Sequence, residues 1–204
     1  MEIRKELLEM TKRSYSEALF AGTSGNLSYF DHETGRMFIT PGSTPYETMQ
    51  EEDLVCMTLD GEVLEGSRKP SSEWRMHAEI YRQKPEVASV IHTHSPYATS
   101  FAVNNKKIPV ILIEMVPFLG GDVDVAEFAI PGTVEVGVEA VKKLEDRYAC
   151  LMANHGVLAV GKNLEQAHIR AVYTEDAAKI YSLALNNGEV KVIDDKHVKY
   201  MKER

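Results

Sequence analysis

Ile3, Leu7, Leu8, Met10, Tyr15, Ala18, Leu19 and Phe20 recur at the three-and-four spacing of one helical face, and Ala21-Gly22-Thr23 predicts where that first helix ends. Residues 26–30 and 37–40 are short strand-like runs joined by the polar hairpin loop 31–36, which carries His32 towards solvent. A second hairpin is expected from residues 54–59 and 62–64, because Asp60-Gly61 between them accepts the positive φ of a tight turn. Trp74, Ala78, Ile80 and Tyr81 predict a helix over 72–84, capped by Ser71 or Ser72 and stopped before Pro85.

Beyond it the pattern predicts a buried strand at 87–93, a helix at 96–103, a strand at 110–115 and a helix at 132–144. Two further strands, 149–154 and 157–160, are interrupted by Asn154-His155-Gly156; a long amphipathic helix at 164–185 precedes a short charged tail. Interleaved helices and strands with several hairpins predict an α/β fold: a mixed, largely antiparallel central sheet covered on both faces by helices, in three layers. With 204 residues and 44% hydrophobic content, one domain spanning 1–204 with a full core is expected.

Charge narrows the partners. With 31 acidic against 23 basic side chains the net charge is −8, so most of the surface repels a polyanion and no nucleic-acid partner is expected. A phosphorylated metabolite remains allowed, since a few amides and one metal ion bind a phosphate locally. Cys56 and Cys150 stand singly in apolar runs, as free thiols of a reducing compartment do. No apolar stretch reaches membrane-spanning length and the N-terminus reads as no leader, so a cytoplasmic protein without membrane contact is expected.

Among seven histidines, His92 and His94 stand out, because two residues apart on a strand they project from one face beside the core run 87–91. Alone, a His-x-His pair is more often explained by hydrogen bonds to loop carbonyls than by a metal. His155, in a glycine-flanked break between strands, and Glu73, at a helix start, strengthen the case for a shared cation. Three imidazoles and a carboxylate suit zinc and also admit manganese or cobalt. His77 shares the Glu73 helix face, whereas His168 and His197 read as structural or exposed. Three turns rich in glycine and hydroxyls, 22–26, 40–43 and 70–72, have the equipment for an anion, although each singly is an ordinary turn or cap. Lys69 lies in a polar stretch without the apolar burial that activates a lysine for imine chemistry.

The runs Pro70-Ser71-Ser72-Glu73-Trp74-Arg75-Met76-His77, His92-Thr93-His94 and Asn154-His155-Gly156 resemble, in type and separation, the class II aldolase and adducin-head superfamily, nearest to the pattern of its fuculose-phosphate aldolases. The resemblance spans roughly 22–185. It implies that His92, His94 and His155 hold a metal, with Glu73 as a fourth ligand that moves off to act as acid and base. It also implies a phosphate site at Gly25, Asn26, Gly42, Ser43, Ser71 and Ser72, and a homotetramer with active sites at subunit interfaces. The expected reaction is cleavage of a ketose 1-phosphate to dihydroxyacetone phosphate and an aldehyde. Where the fuculose enzymes carry an aldehyde-side tyrosine, this chain has Ile113 or Glu114 in an apolar segment, 111–118, which suggests a deoxy or methylthio pentulose. The same superfamily contains ribulose-phosphate 4-epimerases, methylthioribulose-phosphate dehydratases and the non-catalytic adducin head, which lacks the metal histidines.

Overall fold

In the computed structural model, which describes residues 2–203, the strands are β1 (Asn26–Asp31), β2 (Arg36–Ile39), β3 (Val55–Met57), β4 (Val63–Glu65), β5 (Ser89–Thr93), β6 (Val125–Ala126), β7 (Ala149–Met152) and β8 (Gly156–Gly161). The helices are α1 (Glu2–Ser16), α2 (Trp74–Gln83), α3 (Pro96–Val103), α4 (Met115–Leu119), α5 (Glu135–Val141), α6 (Leu164–Asn187) and α7 (Asp195–Lys202). All eight strands form one sheet in the order β4-β3-β2-β1-β5-β8-β7-β6. Every neighbouring pair is antiparallel except β6 with β7, so the sheet is mixed and largely antiparallel, as expected.

Strand periodicity splits the core in two. Leu27, Ile91, Leu151, Val157 and Ala159 point to the face covered by α1, α3, α4 and α6, where Leu7, Phe101, Leu119 and Ala171 meet them. Their alternates Phe30, Val90, Cys150, Leu158 and Val160 point to the face covered by α2 and α5, against Met76, Ile80, Val136 and Ala140. Burial on both faces explains why β7 and β8 read as continuous apolar runs rather than alternating ones. No helix among the described residues is long and apolar enough to cross a membrane.

The structure corrects several expected boundaries. The first helix stops at Ser16, because Ala18 takes a left-handed conformation (φ 60°) and the Leu19 N–H closes onto Ser14 O. Leu19 and Phe20 stay buried after this turn, and Leu19 O accepts the His94 N–H at 3.1 Å, which ties the turn to the end of β5. Residues 110–115 are not a strand. Val110 is buried in the α-helical layer, its carbonyl accepts the Ile193 N–H, and the sheet edge is taken by β6 instead. The charged tail holds α7, whose Val198 and Met201 pack on the core. Helix α2 begins at Trp74, with the Ser71 hydroxyl accepting the Glu73 N–H at 3.3 Å rather than capping the helix itself. Helix α5 begins at Glu135, since the preceding residues close a separate turn, Thr133 N–H to Ile130 O. His32 is exposed, as its loop position predicts, and bonds Val87 O at 2.8 Å, whereas His168 is fully buried between α6 and α1, facing the Ser14 hydroxyl.

Candidate active site

The register of β5 sets the site. His92 pairs with Asn26 of β1 on one side and Leu158 of β8 on the other, so its ring leaves the sheet on the α2 face, and His94 follows two residues on. Immediately after His94 the chain enters α3, whose first amides, Tyr97 and Ala98, donate to the Glu175 carboxylate of α6 at 2.9 and 2.8 Å. That anchor fixes the end of β5. His155 arrives from the tight turn between β7 and β8, where Asn154 is left-handed (φ 55°). Gly156 is required by the close approach: a Cβ there would run into Thr93 O and lie 3.1 Å from His92 Cε1.

The three rings form one cluster, with centroids 4.7 Å (His92 to His94), 4.6 Å (His92 to His155) and 5.4 Å (His94 to His155) apart. One ligand nitrogen from each lies within 4.8 Å of the others. His92 is fully buried, and its Nδ1–H donates to Val157 O at 2.9 Å, which fixes the ring with its Nε2 2.9 Å from His94 Nε2. Burial, followed by the charges of His92 and His155, pushes His94 down to about 4, so its imidazole is neutral near pH 7. Glu73 completes the ring: Oε2 stands 3.2 Å from His92 Nε2, and Oε1 stands 3.1 Å from His155 Nε2. Oε1 is buried yet makes no hydrogen bond among the described residues. A buried carboxylate whose oxygens face convergent imidazole nitrogens, one of them without a hydrogen bond of good geometry, fits a divalent cation better than it fits an internal hydrogen-bond network.

A cavity of about 620 Å³ opens over this cluster. Gly25, Asn26, Gly42, Ser43, Ser71, Ser72, Glu73, His94 and His155 all line it, so the three turns and the metal group predicted separately share one space. His92 lies beneath, at 0% exposure.

A family model for the class II aldolase and adducin N-terminal domain matches residues 5–182. The chain belongs to that family. It is 37% identical over 192 residues to a 5-deoxy-D-ribulose 1-phosphate aldolase of Bacillus thuringiensis serovar kurstaki, covering 94% of this chain and 90% of that relative. To the L-fuculose phosphate aldolase of Escherichia coli strain K12 it is 33% identical over 199 residues, covering 97% and 89%. A solved L-fuculose 1-phosphate aldolase superposes with a TM-score of 0.95 at 41% identity, covering 100% of this chain and 95% of that one. The protein is therefore an enzyme of the lyase type, a class II aldolase, and the metal-dependent chemistry of that family fits its histidine cluster.

In this aldolase the three turns, a candidate cradle for an anion, are held by backbone pairing across the cavity wall. Pro41 and Pro70 form an antiparallel bridge, Gly42 N–H donates to Lys69 O, and Ser71 N–H donates to Thr40 O. Those two amides are thus occupied by the scaffold, and the exposed hydroxyls of Ser43 and Ser72 face the opening. Gly25 (φ 92°) sits so close to Phe20 and His92 O that a Cβ would lie 3.0 Å from that carbonyl. Tyr46, buried, donates its hydroxyl to Gly25 O at 2.7 Å and holds this loop down. Burial, then the nearby Glu73 charge, pushes the Tyr46 phenol well above its ordinary range, so it stays a donor.

Two site features escape a reading of motifs. Lys69, set aside above as an imine former, lines the cavity and makes no ion pair with another described residue, so its charge is available to an anion. The Asn26 amide donates to Glu73 Oε2 at 2.9 Å and accepts from His77, so its side chain faces Glu73 and not open space. For Glu73 itself burial works upward, but the charge of His92 and the contacts from His155 and His92 outweigh it and hold the carboxyl well below the usual range. The apolar segment 111–118 does not line this cavity within one chain; α4 packs on α6 through Phe118 stacked on Tyr173 at 4.1 Å.

Proposed function

We propose that this aldolase performs metal-dependent retro-aldol cleavage of a ketose 1-phosphate, releasing dihydroxyacetone phosphate and an aldehyde. The observation that carries the reading is the shared cavity: three imidazoles and Glu73 on its floor, three hydroxyl-bearing turns and Lys69 on its wall. A divalent cation held by His92, His94 and His155, with Glu73 as a fourth donor, would supply Lewis-acid stabilisation of the negative charge left on the ketose as C3–C4 breaks. Ser43, Ser71, Ser72, Gly25, Asn26 and Gly42 frame the phosphate, and Lys69 balances its charge. The C4 hydroxyl gives up its proton as the aldehyde carbonyl forms, and Glu73 returns one proton to C3, so the cleavage is balanced. Zinc is the ion we assign, because nitrogen-rich four-donor sets favour it over magnesium or calcium.

Two cradle variants separate binding from turnover. Ser72→Ala is expected to raise KM for the phosphorylated ketose about tenfold, the loss of roughly one charge-assisted hydrogen bond, with kcat little changed. Ser71→Ala moves both constants, because the Ser71 hydroxyl also accepts the Glu73 N–H. Steady-state kinetics of both check this, and an unchanged KM in Ser72→Ala counts against the cradle.

For the aldehyde half, the apolar segment 111–118 and the likeness to a 5-deoxy-D-ribulose 1-phosphate aldolase support a 5-deoxy or 5-methylthio pentulose 1-phosphate. A substrate panel is expected to give these a higher kcat/KM than fuculose 1-phosphate; the reverse order rejects the assignment.

A homotetramer with sites at subunit interfaces is part of the same reading. Phe128 and Ile130 stand 59% and 68% exposed beside the cavity-lining Pro131, where a neighbouring copy would cover them. Light scattering is expected to return four chains, and a monomer at all concentrations removes the interface.

A further inference from the structure

Beneath the Glu73 carboxylate runs a row of buried polar groups of which only Asn26 has a role above. Tyr81 OH lies 2.6 Å from Ser28 Oγ, and Ser28 Oγ lies 2.6 Å from His77 Nδ1. His77 Nε2 lies 2.5 Å from Asn26 Oδ1, and Asn26 Nδ2 lies 2.9 Å from Glu73 Oε2. Ser28 and His77 are 0% exposed, Tyr81 and Asn26 3% each. The row joins two elements: Tyr81 and His77 lie on α2, one turn apart, while Ser28 and Asn26 alternate on the α2 face of β1.

The chemistry of the last link sets the direction of all the others. A carboxylate only accepts, so the Asn26 amide must present Nδ2–H to Glu73 and its carbonyl oxygen to His77. That oxygen in turn requires His77 Nε2 to carry the proton. With a neutral ring, Nδ1 is then an acceptor, so the Ser28 hydroxyl donates to it and Tyr81 donates to Ser28. Every hydrogen bond thus points towards the carboxylate, and aligned chains of this kind strengthen one another in a low-dielectric interior. The Asn26 amide interrupts any proton path, so the row orients Glu73 and does not feed it protons.

We infer that His77, acting through Asn26, is a positioning residue for Glu73, and that the Asn26 side chain serves the acid–base carboxylate rather than the substrate phosphate. Because Asn26 follows Gly25 directly, the same short segment then frames the phosphate with its backbone and holds the proton-transfer group with its side chain. This inference rests on the acid–base role given to Glu73 above.

The test compares four zinc-loaded proteins: wild type, Glu73→Gln, His77→Leu and His77→Gln. His77→Leu is expected to lower kcat about 10- to 100-fold, the usual effect of removing a group that orients an active-site side chain, with KM and bound metal retained. His77→Gln keeps an N–H donor for Asn26 and is expected to recover most of that loss, which a purely packing role would not predict. Wild-type kcat in His77→Leu beside an inactive Glu73→Gln overturns this inference alone, whereas an active Glu73→Gln overturns the acid–base role on which it rests. A second readout uses no variant and no turnover: nitrogen NMR of the histidine rings should show His77 as the neutral Nε2–H form, with a slowly exchanging ring proton. An Nδ1–H ring or a charged imidazolium at neutral pH contradicts the chain, even if His77→Leu fails to fold.

Discussion

His92→Ala is expected to lose the divalent ion and the aldolase activity together, lowering kcat/KM by a factor of about 10³ or more. The size follows from what the ion contributes, several kcal/mol of transition-state charge stabilisation, where about 4 kcal/mol corresponds to roughly a thousandfold in rate. His92 is the most sensitive of the three positions. Its Nδ1–H is fixed on Val157 O, its Nε2 stands between His94 and Glu73, and it is fully buried, so alanine leaves a cavity that neither neighbouring ring fills. Metal analysis alongside kinetics checks the link. Loss of activity with full metal occupancy would separate the two, and unimpaired turnover would remove the imidazole cluster from the reaction.

Glu73→Gln is expected to behave in the opposite way: metal retained, kcat reduced about 10²- to 10⁴-fold, the range contributed by a positioned acid–base group. The amide keeps the volume and one acceptor for Asn26, so packing around this buried side chain survives. It loses the negative charge facing His92 and His155 and the ability to carry a proton. Three imidazoles still provide an ion site, which is why occupancy should persist when turnover does not. An enzyme that holds metal and turns over normally would reassign Glu73 to structure.

Much of this site was legible in the sequence because its parts are local. His92 and His94 share a strand face by period two, His155 is announced by the glycine that its close packing requires, and Glu73 opens a helix after two serines. The sheet and its helical cover followed from hairpin turns and apolar periods in the same way. What stayed hidden depends on pairing across long separations. Nothing in a linear pattern joins Ser28 to His77 and Tyr81, or commits the Asn26 amide to Glu73, until β1 and α2 are packed face to face. Likewise Lys69 was a polar loop residue until the Pro41–Pro70 bridge turned it to the cavity. Residues 110–115 misled for a related reason: Val110 and Met115 are buried in the helical layer while Ile113 is exposed, and strand composition alone does not distinguish that from a place in the sheet.

Triose phosphate release from 5-deoxyribulose 1-phosphate, followed in one preparation before chelation, after chelation and after zinc is restored, tests the central claim most directly. Cleavage is expected to stop when the ion is removed and to return in proportion to the zinc rebound per chain. Undiminished release of dihydroxyacetone phosphate from the metal-free protein would contradict the account.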